Sequence, residues 1–136
     1  MVLVVTGIAA AGIATDAAAT PRPDNASLYL ISPVDGQRVR SAFWCRFGLR
    51  NMGVAPAGIS QANTGHHHLL IDTDEQLDPA TPIPADAKHV HFGAGQTEVR
   101  LDLARGYHTL QLVLGDGNHM LLTPSLVSRR IRILVT

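Results

Sequence analysis

From residue 28 onward the sequence is cut by turn-forming residues into seven short apolar runs, none long enough for an ordinary helix. The runs are Leu28–Ile31, Ala42–Leu49, His67–Ile71, His89–Phe92, Thr97–Leu103, Tyr107–Leu114 and Val127–Val135. Between them stand Ser32-Pro33, Asp35-Gly36, a loop from Gly53 to Asn63, a long connection from Asp72 to Lys88 with Pro79, Pro82 and Pro84, and Gly115-Asp116-Gly117-Asn118. No window after the leader keeps the i, i+3, i+4 spacing of an amphipathic helix. Val99, Leu101 and Leu103 alternate instead, as do Ile131, Ile133 and Val135 with Val127 in phase. This punctuation predicts an all-β fold, an antiparallel immunoglobulin-like β-sandwich of about seven strands, with a small barrel as the alternative.

At 136 residues the chain has room for one domain. Residues 1–14 are apolar or small apart from Thr6, and Ala17-Ala18-Ala19 supplies a cleavage site of small residues before Thr20-Pro21-Arg22-Pro23. The pattern predicts a signal peptide over 1–19, a mature domain over 20–136 and a periplasmic or secreted location. No Lys or Arg precedes Arg22, so the usual basic start is missing. The apolar run is short of the roughly 20 residues that span a bilayer, so no stable membrane span is expected after processing. Cys45 is the single cysteine, which excludes an internal disulfide; within Phe43-Trp44-Cys45-Arg46-Phe47 it reads as a buried small hydrophobe. Eleven basic and eleven acidic side chains leave no net charge. Nucleic-acid binding needs a basic excess, and Arg129, Arg130 and Arg132 are explained by a solvated sheet face.

Five of the seven histidines fall between residues 66 and 91. Neutral imidazole is the commonest metal ligand. Residues two apart on a strand share a face about 6.5–7 Å apart, so His66 with His68, and His89 with His91, form two same-face pairs. If the two strands lie side by side, four imidazoles face one point. Such an all-nitrogen set suits copper or zinc, and without a thiolate it is no blue-copper site. Asp72 shares the parity of His66 and His68 and is a candidate oxygen ligand or an acceptor behind the ligands. His67 has the opposite parity, with Leu69 and Ile71, and is expected in the core with a hydrogen-bonded ring, with a place at or behind the metal ligands as the alternative. His119, in the loop after Asp116-Gly117-Asn118, is a candidate extra ligand, and His108 reads as a packing residue at a strand start. Metal affinity at unperturbed imidazoles would weaken as pH falls through about 6.

Four stretches carry a resemblance: Phe47-Gly48-Leu49-Arg50-Asn51-Met52-Gly53, Asn63-Thr64-Gly65-His66-His67-His68, the segment from Pro82 through Lys88-His89-Val90-His91-Phe92-Gly93 to Glu98, and Gly106-Tyr107-His108 through Asp116-Gly117-Asn118-His119. Together they resemble small exported bacterial proteins of the domain-of-unknown-function family numbered 4399, over roughly residues 28–136. The resemblance implies a compact exported β domain and brings no established activity. Its members carry a second histidine shortly after the one matching His119, where this chain has Met120-Leu121-Leu122. That departure weighs against His119 as a ligand more than against the two central pairs.

The resulting expectation is an exported metal-binding module for copper or zinc, acting in binding, delivery or sensing, with a periplasmic protein as a further partner. The competing expectation is a non-metal binding or structural β-domain whose histidines pack. No nucleophile–base set, Gly-x-Ser-x-Gly elbow or His-Glu-x-x-His motif is present, which makes an enzyme the weakest of the three.

Overall fold

The computed structural model describes residues 19–136, so the expected leader lies outside the described residues apart from Ala19. Among the described residues there are nine strands and no helix. Seven match the seven apolar runs: β1 (Ser27–Ser32), β3 (Phe43–Arg50), β5 (Thr64–Ile71), β6 (His89–His91), β7 (Glu98–Leu101), β8 (Gly106–Gly115) and β9 (Ile131–Val135). Two more, β2 (Arg38–Val39) and β4 (Gly53–Val54), have only two residues each and pair in parallel with β9 and β5. The expectation of a wholly antiparallel fold fails at these two short pairings; neither had enough residues to show alternation.

The strands form two sheets. One runs β1-β3-β7; the other runs β2-β9-β8-β5-β4, with β6 also pairing with β5. The sheets bury their inner faces against each other. Leu28, Phe43, Cys45, Phe47 and Leu101 come from the first, and Leu69, Ile71, Leu110, Leu112, Leu114, Ile131, Ile133 and Val135 from the second. Full burial of each such side chain is worth about 1.5–3 kcal/mol, and this layer holds the sheets together in the absence of a disulfide. Cys45 is fully buried in it, and burial pushes its thiol pKa up to about 12, so it is inert as a nucleophile. Val127 does not continue the last strand: β9 starts at Ile131, and Val127 is half exposed.

A second, smaller apolar cluster covers the opposite, outward face of the larger sheet. Leu70, Val113 and Leu121 meet Ile83 there, with Leu77 packed alongside. The Asp72–Lys88 connection therefore does not hang free; it lies over the outer face of β5 and β8. Since β5 alternates, Leu69 and Ile71 face the core while His66, His68 and Leu70 face this covered outer layer. All of β5 from Gly65 to Ile71 is buried as a result.

Candidate metal centre

His66 and His68 project from β5 beneath the covering loops and are 0% and 1% exposed. Antiparallel pairing sets His91 of β6 directly opposite His68, and Gly115 of β8 opposite His66. The fourth ring comes from His119. Its loop is tied by Asp116, whose carboxylate accepts the Asn118 and Met120 backbone N–H groups and the Thr20 hydroxyl, while the His119 N–H donates to the Asp116 carbonyl. The turn puts His119 at φ 63°, a left-handed conformation that side-chain-bearing residues seldom adopt. Observed strain of this kind marks functional positions often enough to motivate a functional reading.

His66 Nε2 lies 3.0 Å from His68 Nε2, 3.2 Å from His91 Nε2 and 3.2 Å from His119 Nδ1. All four nitrogens lie within 4.8 Å of one another. A neutral imidazole has one donor and one acceptor nitrogen, so one nitrogen facing three others cannot be satisfied by hydrogen bonds alone. The far nitrogens do not compensate: buried Nδ1 of His66 and Nδ1 of His68 find no protein partner. A buried unpaired polar atom costs about 1–3 kcal/mol. A cation at the centre accepts all four lone pairs at once, and metal–nitrogen bonds of about 2.0–2.1 Å fit nitrogens this close. The residues present therefore fit a metal ion on their own geometry.

Electrostatics point the same way. Burial, reinforced by repulsion from the His91 and His119 rings, lowers the His66 pKa from 6.5 to about 4, against a small opposing pull from Asp116. Burial and the neighbouring rings lower His68 to about 3, and burial with His119 lowers His91. His66, His68 and His91 stay neutral near pH 7 with their lone pairs free. At those three rings, competition between proton and metal would fall below the pH of about 6 expected for unperturbed imidazoles.

Two glycines make the room. A Cβ at Gly115 would sit 2.8 Å from His68 Nε2, and one at Gly93 would sit 2.3 Å from the His91 ring. A strap from the Gly53–Asn63 loop ties both mouth loops: the Ala57 N–H donates to the Gly93 carbonyl and the Gly58 N–H to the Gly117 carbonyl. Neither the glycines nor Asp116 was singled out from sequence as a site residue; contacts across such distances leave no spacing signal.

The structure thus brings together His66, His68 and His91 of the expected pairs, adds His119, and places His89 elsewhere. Convergence of both pairs would need Val90 opposite His67, but the register puts Val90 opposite Leu69. That shift carries His89 level with Leu70, where its Nδ1 meets Asp86 at 2.7 Å and its Nε2 meets Glu75 at 3.1 Å. Asp72 is also elsewhere: its carboxylate accepts from His108 Nδ1 at 2.7 Å and from the Thr109 N–H. His67 faces the core as its parity predicts, 5.0 Å from the Phe47 ring. Its ring is not hydrogen-bonded as expected; neither nitrogen finds a protein partner, and burial lowers its pKa to about 4.

Comparison with known families matches residues 45–136, more than half of the chain, to a domain of unknown function, DUF4399. No curated protein and no solved structure matches the chain. The chain belongs to the DUF4399 family.

Proposed function

We propose that this member of the DUF4399 family is an exported metal-binding module that holds one copper or zinc ion through His66, His68, His91 and His119, in binding, delivery or sensing. The observation that carries the reading is the meeting of four ring nitrogens, from two strands and a loop, within 4.8 Å. Export rests on the apolar leader and its Ala17-Ala18-Ala19 site. Delivery would need a periplasmic partner protein to receive the ion. We also read the fold as immunoglobulin-like: the orders β1-β3-β7 and β9-β8-β5-β6 follow the A-B-E and G-F-C-C′ strands of such sandwiches.

The reading is tested by calorimetric titration of the metal-free protein with copper(II) and zinc(II). One ion per chain with micromolar or tighter affinity is expected for wild type, and a loss of that binding for His66→Ala/His91→Ala. Equal affinity in wild type and the double variant, or none tighter than about millimolar, would leave the histidines structural. It would favour the competing reading of a non-metal β-domain, which His67, His89 and His108 already exemplify in their packing and ion-pair contacts.

A further inference from the structure

Resting on that metal reading, the arrangement of the four rings narrows the ion. In a square plane every ligand nitrogen has one partner across the metal, at about 4.0–4.2 Å, and two beside it at about 2.8–3.0 Å for bonds of the usual length. In a tetrahedron all six separations equal about 3.3–3.4 Å. His66 Nε2 has no partner across: its three neighbours stand at 3.0, 3.2 and 3.2 Å. Three near-equal separations fit a vertex of a tetrahedron better than a corner of a square.

The ring centres agree. Five of the six centroid separations fall between 4.6 and 5.0 Å, and only His68–His119 is longer, at 6.1 Å. A tetrahedron of imidazoles places all six at about 5.2 Å, whereas a square plane demands two long diagonals near 6.4 Å. His66–His91 would have to be the second diagonal, and it measures 5.0 Å. Strand register and the Asp116 turn fix the backbone positions from which these rings project, and Gly93 and Gly115 leave room for the rings in this arrangement.

We propose that the four-histidine cluster is a closed tetrahedral site for zinc(II), retaining the ion rather than using it for catalysis. Copper(II) and nickel(II) prefer tetragonal or square-planar surroundings, which this cage does not offer; zinc(II) has no such preference. Copper(I) also accepts a tetrahedron but is selected by soft sulfur ligands, and no cysteine thiolate belongs to the cluster, with Cys45 buried between the sheets. Four protein nitrogens fill the coordination shell. A catalytic zinc keeps one position open for water or substrate; a closed one does not. His119 is the closing ligand, on a backbone turn whose left-handed φ asparagine also tolerates.

Cobalt(II) loaded into the full-length protein reports the geometry. Four-coordinate cobalt gives intense visible bands, and six-coordinate cobalt gives faint ones. Intense bands that are discharged by one equivalent of zinc(II) are expected for wild type. His119→Asn should keep the fold by circular dichroism, lose the intense four-coordinate spectrum and bind zinc more weakly. Faint six-coordinate bands in wild type would overturn the tetrahedral assignment while leaving metal binding intact. So would copper(II) held with the electron paramagnetic resonance signature of an undistorted square plane. Failure of cobalt, zinc and copper alike to bind would overturn the metal reading itself.

Discussion

Two regions of this molecule use the same side chain in opposite ways. At the end of β5 nearest the strap, one ring nitrogen each of His66, His68, His91 and His119 meets the others, and no carboxylate is in hydrogen-bond contact with these rings. At the other end, His89 sits between Asp86 and Glu75, and His108 between Asp72 and the Ala104 carbonyl. A histidine among acceptors is satisfied by a proton. A histidine among histidines is not, because every proton added repels the next, and a shared cation would satisfy the group. The contrast teaches that a count of histidines says little, whereas what lies opposite each ring nitrogen separates a set that could hold an ion from one bound to acceptors.

The largest expected difference is in metal affinity. His66→Ala removes the nitrogen that touches all three others, and calorimetry should show a loss exceeding the roughly 10–100-fold typical of disturbing an outer partner of a metal ligand. His89→Ala should leave the metal affinity unchanged and instead lower folding stability by about 1–2 kcal/mol, read by urea unfolding. A matching loss of affinity in both variants would erase the distinction between the regions.

The next difference is in pH dependence. Unfolded histidines take up protons near 6.5, whereas buried His66, His67 and His68 resist until about pH 4, 4 and 3. The unfolded state binds more protons throughout that window, so this contribution is fully present above about pH 6.5 and the metal-free protein should lose on the order of 3 kcal/mol per buried ring as pH falls toward 4. Unfolding midpoints measured across pH 4 to 7.5 check this; a flat profile would contradict burial of neutral rings.

A smaller effect comes from Gly115→Ala. The added methyl meets the His68 ring, and zinc affinity should fall about tenfold by calorimetry although no ligand is removed. Unchanged affinity would mean that the ring swings freely and that the glycine is not part of the cage.

The smallest effect is at His108. Burial pulls its pKa down, but the Asp72 hydrogen bond, the Ala104 carbonyl and the Asp72 charge outweigh that and leave it raised. Its stabilising contribution is present below the unfolded value and lost as pH rises through the folded one, the reverse of His66, His67 and His68. With Asp72 partly exposed, His108→Gln should cost only a few tenths of a kcal/mol at pH 6 and less at pH 8, by denaturant unfolding. An NMR titration should place His108 above, and His67 below, the ordinary imidazole range.

Much of the fold was legible because alternation is a local signal. Val99-Leu101 and Ile131-Ile133-Val135 declare a buried face within five residues, and the parity of His67 against His66 and His68 separated core from outer layer correctly. The two-residue strands β2 and β4 were too short to alternate. The site was legible only in part. Parity within β5 grouped His66 with His68, yet the partner from β6 depended on register, which is set by pairing across the sheet rather than by spacing along the chain. His119 depended on a turn folded back by Asp116, fifty residues from His66, and the missing second histidine after it argued against a role that the turn geometry supports. Asp72 had the right parity but follows the last residue of β5 at a left-handed φ of 53°, where alternation no longer applies, and its carboxylate turns to His108 and Thr109.

The strap formed by Ala57 and Gly58 has a kinetic consequence. Because it is bonded to both Gly93 and Gly117, the segments that follow His91 and precede His119 are hinged to one crosspiece. Opening either mouth loop would strain the other, so an ion held there as proposed would leave through one concerted excursion of the rim instead of by shedding ligands singly. Its residence time would then follow the lifetime of those two backbone hydrogen bonds. Deuterium uptake at the Ala57 and Gly58 amides would run on the same clock as metal release.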